Sequence, residues 1–142
     1  MKKYNKFTIF LAILAISTIG FADDKIFESA KSSLDMDAEI IKVLYDNNQV
    51  DTVCPKQSVG CYISKDGGMI LLSDSIPSDH KDVVLLGLYS DYLQHNNTGL
   101  IDNSLTCDLK VKYLADSNKS KLSKLYSSQC DAIYRNKVIV MN

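Results

Sequence analysis

The chain has 142 residues, the length of one domain, with 16 Lys plus Arg against 17 Asp plus Glu. Apolar residues make up 46% and charged residues 23%, with two prolines, six glycines and no tryptophan. These values exclude a disordered, collagen-like, polybasic or low-complexity chain and fit a folded globular one.

Lys2, Lys3 and Lys6 begin the chain, and Phe7 to Phe21 is almost wholly apolar. Gly20-Phe21-Ala22 sets small residues three and one positions before a cut, and Asp23-Asp24 follow. This pattern predicts a secretory signal peptide over 1–22, cleaved after Ala22, and a single exported domain over 23–142. An uncleaved anchor is the weaker reading, because a bilayer span needs about 20 unbroken apolar residues. The Lys-Lys start and the abundance of Lys, Asn, Ile and Asp fit an AT-rich bacterium, so periplasm or medium is the expected compartment. Without 1–22 the balance is 13 bases against 17 acids, a net −4. It divides into −5 over 23–51, −4 over 52–109 and +5 over 110–142. The polarity predicts an acidic first helix beside the basic C-terminal third. The overall sign and the compartment disfavour nucleic acid as a partner.

From Lys25 to Leu44, Ile26, Phe27, Ala30, Leu34, Ile41 and Leu44 recur at helical steps. The spacing predicts a helix that breaks near Ser32-Ser33, with Asp35 or Asp37 starting a second one that ends at Asn47-Asn48. Asp66-Gly67 between the apolar runs Tyr62-Ile63 and Met69–Leu72 predicts a β-hairpin, since both residues tolerate positive φ. Pro77-Ser78-Asp79 opens a helix over 79–95, capped by Ser78 or Asp79 and stopped by Asn96-Asn97-Thr98-Gly99. It is apolar on most sides, as a central buried helix is, and Gly87 lets another element come close. Leu105, Cys107, Leu109, Val111 and Tyr113 alternate with polar residues and predict a half-buried strand, although Leu105, Leu109 and Tyr113 also fit a helix. A polar helix over 116–129 follows, with Leu122, Leu125 and Tyr126 on one face. Val138–Met141 forms a closing strand, paired with Ala132–Tyr134 across Arg135-Asn136-Lys137. The sum is one α+β domain: a hairpin and a short, mainly antiparallel sheet packed on about three helices.

Four cysteines in an exported chain predict two disulfides. Of three pairings the most local, Cys54–Cys61 and Cys107–Cys130, is favoured, because Pro55 and Gly60 help the first loop to turn back. Closing loops of eight and 24 residues contributes about 2.5 and 3.4 kcal/mol by loop-closure entropy. Six residues between Cys54 and Cys61 are too many for the usual zinc spacing, and no C-x-x-C redox pair occurs.

Complete catalytic motifs are lacking, and the expectation is of no catalytic, cofactor or metal residues. His80 and His95 lie near opposite ends of one predicted helix, about 22 Å apart at 1.5 Å rise per residue. His80 reads as a solvated first-turn residue and His95 as one favoured by the helix dipole. Ser78-Asp79-His80-Lys81 resembles the S-x-x-K motif of penicillin-binding proteins and serine β-lactamases, but their S-D-N and K-T-G motifs are missing. A hairpin strand ending in Leu71-Leu72-Ser73 before the helix resembles the edge strand and active-site helix of small zinc peptidases. Gly87-Leu88-Tyr89-Ser90-Asp91 stands there in place of H-E-x-x-H. Asp35-Met36-Asp37 lacks the glycine and terminal glutamate of a calcium loop. Asn96 and Asn118 begin sequons that matter only in a eukaryotic secretory pathway.

The expected function is therefore non-enzymatic. The chain reads as a small exported protein that binds another protein in the envelope or medium, of inhibitor or immunity type, with exposed tyrosines as anchors. The rivals are a small envelope hydrolase whose residues converge only in the fold, an inactive relative of a small zinc peptidase, and a subunit of an envelope assembly with a large exposed apolar patch.

Overall fold

The computed structural model describes residues 21–133 and 135–139, so most of the predicted signal segment, Tyr134 and Val140-Met141 lie outside the described residues. Helix α1 (Phe21–Leu34) buries Ile26, Phe27 and Ala30 on one stripe and carries Asp23 and Asp24 in its first turn, where the dipole favours acids. It stops at Asp35, whose φ is 52°. The Met36 N–H donates to Lys31 O at 3.2 Å, the six-to-one bond of a Schellman stop. Asp35 thus ends a helix where a second was expected to begin. The stretch predicted helical to Leu44 instead contains strand β1 (Lys42–Tyr45). Asn47-Asn48, expected to close a helix, opens α2 (Asn47–Val53), because Asp46 caps it by accepting from Gln49 N at 3.1 Å.

Strands β2 (Ser58–Ile63) and β3 (Met69–Leu72) form the predicted antiparallel hairpin. Its connection is a 3₁₀ turn, Lys65–Gly67, with Asp66 at φ 53° and Gly67 at φ 87°. The sheet order is β1-β3-β2-β4, where β4 is Arg135–Ile139. Both β1–β3 and β2–β4 run parallel, so the sheet is mixed rather than mainly antiparallel. Arg135-Asn136-Lys137 lies within β4, not in a turn, and Ala132-Ile133 ends a helix rather than forming a partner strand. A parallel partner needs a long crossover, and the three helices after β3 supply it.

Helix α3 (Ser78–Thr98) starts a residue earlier and runs three further than predicted. Pro77 stands at its N-cap without a side-chain bond, so neither Ser78 nor Asp79 caps it. Gly99 at φ 73° ends it, donating to His95 O at 2.9 Å. Every residue from Val83 to Gln94 is buried, Gly87 included. Residues 105–113, expected as a strand, lie in helix α4 (Asn103–Asp116). The Asp102 side chain decides this by accepting from Ser104 N and Leu105 N, a cap that starts a helix and not a strand. Helix α5 (Ser120–Ile133) sits four residues later than the predicted one.

The architecture is a single α+β domain with five α-helices among the described residues, more than the three expected. Helices α1 and α3 cover one sheet face through Phe27, Leu85, Leu88, Tyr89, Tyr62 and Ile70. The short α2 covers the other with Val50 against Cys61, Ile63 and Leu71. A third cluster, Val83, Leu114 and Tyr126, joins α3 to α4 and α5. Cys54–Cys61 and Cys107–Cys130 are the two disulfides, with Cα separations of 5.7 and 5.9 Å. The first ties the end of α2 to β2, and the second ties α4 to α5. Acidic α1 packs on α3. Its described ion pairs are local, Lys31 Nζ to Asp37 at 2.8 Å and to Glu28 at 3.5 Å, so the predicted attraction to the basic third has no ion pair among the described residues. No described helix is long and apolar enough to cross a membrane.

Candidate functional site

The greatest concentration of reactive side-chain types lies inside the α3–α4 contact. Ser90, Asp91 and Gln94 project from the buried middle of α3, and Thr106 and Lys110 from the first two turns of α4; all five are at most 5% exposed. Spacings of i, i+4 within each helix put Ser90 with Gln94, and Thr106 with Lys110, on one face. Thr106 Oγ1 donates to Asp91 Oδ1 at 2.9 Å. Since that uses the only Thr106 proton, Ser90 Oγ is the donor of the 2.9 Å bond between the two hydroxyls. The Gln94 amide then donates to Ser90 Oγ at 3.0 Å and to Thr106 Oγ1 at 2.9 Å. Its carbonyl accepts from the Asp102 N–H at 2.7 Å, so the network reaches the cap that starts α4. A serine, a threonine and a carboxylate within bonding distance satisfy the composition of a hydrolytic site. The Ser90 and Thr106 hydroxyls and Asp91 Oδ1 are engaged with one another or with Gln94, and solvent reaches almost none of them.

The two histidines are kept apart, as the helix predicted. His80 is half-buried rather than solvated: its Nδ1 lies 3.0 Å from the fully buried Tyr126 hydroxyl. Burial pushes its pKa below the ordinary histidine value, Lys119 adds to this, and Asp79 opposes it. His95, at the far end of α3, has Nδ1 3.2 Å from the Tyr62 hydroxyl. Ser78 is exposed, and Lys81 lies with Nζ 4.6 Å over the Tyr45 ring, so the S-x-x-K pair is not assembled. At the positions of H-E-x-x-H stand Gly87, with no ligand atom, apolar Leu88, and Asp91, whose Oδ1 is bonded to Thr106. These residues do not fit a zinc ligand set. Asp35 serves as the helix stop and Asp37 as the partner of Lys31. Among the described residues no group of three or more His, Cys, Asp and Glu is arranged to hold a metal ion.

None of the described tyrosines is an exposed surface residue. Tyr62, Tyr89, Tyr92 and Tyr126 are buried and Tyr45 and Tyr113 half-buried. Among the described residues the exposed large apolar ones are instead Ile40, Leu100, Leu105 and Leu125. Leu105 and Leu125 share the α4–α5 hairpin with exposed Lys112, Lys121 and Lys124. The sequence conceals the buried network because the alternation over 105–113 predicts a strand at Thr106. The signal available was Asp91, a charge in the middle of an otherwise apolar helix. Comparison with protein-family models, with curated proteins and with solved structures finds no match.

Proposed function

We propose that this is a small exported, disulfide-stapled protein without enzymatic activity, which binds another protein in the periplasm or medium in the manner of an inhibitor or immunity protein. One observation carries the reading: the side chains best suited to catalysis, Ser90, Asp91, Gln94 and Thr106, are bonded to each other inside the α3–α4 contact. The outward face of the α4–α5 hairpin is the matching surface. Exposed Leu105 and Leu125 lie on this hairpin together with exposed Lys112, Lys121 and Lys124 and exposed Asp108 and Asp116, an excess of basic over acidic groups that suits a partner presenting acidic and apolar groups. The test is pull-down from envelope extract with the processed chain and with a Lys121→Glu/Lys124→Glu variant. A stoichiometric partner held by the first and lost by the second supports the reading. No stoichiometric partner overturns the binding function, and equal capture by the variant overturns the assigned face.

A second reading, an inactive relative of the small zinc peptidases, is favoured by Asp91, which takes the second-histidine position and turns its carboxylate into the helix contact. Zinc titration followed by thermal unfolding tests it. A zinc-induced rise in Tm would show a working metal site and overturn the inactive reading.

A further inference from the structure

Strand β1 is an edge of the sheet, with β3 on its inner side. The Asp46 N–H donates to Leu72 O at 3.0 Å, toward β3. Successive residues of a strand turn their backbone groups to alternate sides. Lys42, Leu44 and Asp46 therefore turn theirs to β3, and Val43 and Tyr45 turn theirs to the open edge. None of these outward N–H and C=O groups has a hydrogen-bond partner among the described residues. Such an edge is a template for another strand unless it is blunted. β1 holds no proline and keeps an unbroken register with β3. Helix α2 leaves it by crossing over β2 and β3, where Val50 packs on Cys61, Ile63 and Leu71. The side chains specify which strand fits. Asp46 is still extended, at φ −158° and ψ 108°, so Lys42, Leu44 and Asp46 share one face, on which Leu44 packs against the Val50 cluster. Val43 and Tyr45 lie on the other face, against the main core. Lys42 is exposed and has no ion pair among the described residues. Asp46 is half-buried, with one carboxylate oxygen on Gln49 N.

We propose that two copies of this chain pair antiparallel through β1, about a two-fold axis at Leu44, so that their sheets join edge to edge. Antiparallel to its own copy, β1 can set outward groups against outward groups with Val43 on Val43, Val43 on Tyr45, or Tyr45 on Tyr45. The first register puts Lys42 opposite Leu44, and the third puts Leu44 opposite Asp46. The middle one matches every side chain: Lys42 faces Asp46, Leu44 faces Leu44 and Val43 faces Tyr45, each repeated by the two-fold axis. Opposite-charge pairs and aromatic–β-branched pairs are those that stabilise neighbouring strands. Val43 and Tyr45 of one copy exchange both backbone bonds with Tyr45 and Val43 of the other. A lysine on an edge ordinarily wards off a neighbouring strand. Here it disfavours a basic or apolar strand and favours the one that brings a carboxylate to the matching place, so the charge that guards the edge also selects the partner. β4, into which α5 leads, lies at the other edge of the sheet, so this surface is a second one, apart from the α4–α5 face proposed above. A four-residue strand offers far less than the roughly 800 Å² per partner of a stable interface, which makes the dimer weak and dependent on concentration.

The test is sedimentation velocity on the chain as the cell processes it, up to a concentration of about 1 mM, where a monomer–dimer equilibrium is expected. Lys42→Glu changes an exposed side chain and sets acid against acid at both ends of the contact. It should weaken dimerisation by about tenfold or more while leaving the circular dichroism of the monomer unchanged. Val43→Pro removes an outward donor that the monomer does not use and should abolish the dimer. Cysteine cross-linking reads the register. Leu44→Cys should give a disulfide-linked dimer, because facing residues of a non-hydrogen-bonded pair stand about 4.5 Å apart at Cα. Val43→Cys should not, since its two copies are diagonal neighbours about 7–8 Å apart. A chain that stays monomeric overturns the proposal, whether or not a strand of another protein takes the edge. A dimer indifferent to Lys42→Glu, or one linked as readily through Val43→Cys as through Leu44→Cys, overturns it as well.

Discussion

Replacing Gly60 by alanine tests how closely α3 is pressed onto the sheet. Gly60 pairs with Leu72 across the hairpin and borders the irregularity between Ser58 and Gly60 on the β4 side. A Cβ at this position would stand 2.7 Å from the Leu71 carbonyl oxygen, 2.9 Å from Leu72 Cδ1 and 3.1 Å from Leu88 Cδ1. The two leucine methyls can rotate away. The carbonyl belongs to backbone held in the β2–β3 ladder, so β2 must shift by several tenths of an ångström. Overpacking of this kind costs about 1–3 kcal/mol. With an unfolding entropy of about 2.1 cal/mol/K per residue over a domain of roughly 120 residues, that is a fall in Tm of about 4–12 °C. Thermal and urea unfolding of the Gly60→Ala protein, followed by circular dichroism, measure it. Gly67→Ala is the control, since nothing lies within 4 Å of its Cβ and only its φ of 87° opposes a side chain. A Gly60→Ala protein within about 1 °C of the parent Tm would refute the reasoning, because the 1–3 kcal/mol overpacking cost would then be absent.

Three further outcomes are expected. Replacing Cys107 and Cys130 together by serine should cost more than replacing Cys54 and Cys61, about 3.4 against 2.5 kcal/mol at most; chemical denaturation of the two double variants gives the order. Thr106→Val removes the donor to Asp91 Oδ1 and the acceptor of Ser90 and Gln94. It should destabilise by about 1–3 kcal/mol, and the loss should shrink when Ser90→Ala is present, which a double-mutant cycle reads. Because burial holds His80 below its ordinary pKa of 6.5, the unfolded chain takes up that proton first as pH falls. The His80 contribution is thus fully present above about pH 6.5 and lost as pH drops toward the folded value. Urea unfolding from pH 7 to 5 should show that slope, and His80→Gln should flatten it.

Local signals carried the parts of the fold that could be read in advance. Asp66-Gly67 marks its own turn and Gly99 its own helix stop, so the hairpin and α3 are legible within a few residues. The closing strand is expected at Val138–Met141 and β4 shares Val138-Ile139 with it, but its earlier start and its partner β2 carry no such mark, and neither does β1. Strands β1 and β4 both pair parallel with distant segments, and Lys42–Tyr45 joins a sheet only because Ile70 and Leu72 are already there to meet it. Residues 105–113 show the opposite failure, a misleading local pattern. Their alternation suggests that Leu105 faces inward, yet Leu105 is 37% exposed while Thr106 and Lys110 are buried. The inner face of α4 is partly written in polar residues, so a hydrophobic period does not reveal it.

The same fact explains why no motif marks the polar cluster and what the cluster does for the molecule. Ser90 and Gln94 bond to Thr106, Thr106 bonds to Asp91, and Gln94 reaches the backbone at Asp102. No segment holds more than part of the set, and each residue makes sense only opposite another helix. Apolar packing alone would tolerate α4 sliding along α3, whereas a slip of one turn, about 5.4 Å, would break every bond between the two helices at once. Buried networks impose a single register because their half-satisfied versions are so unfavourable. The register fixed here sets where α4 starts, and through Cys107–Cys130 it sets α5 as well. The lysine-bearing outer face of the hairpin is therefore positioned by the buried network on its inner side. Thr106→Val should accordingly weaken capture of the proposed partner in the same pull-down, although buried Thr106 is out of reach of any partner. Undiminished capture by a Thr106→Val protein of lowered stability would show that the network holds the core alone and has no part in positioning the face.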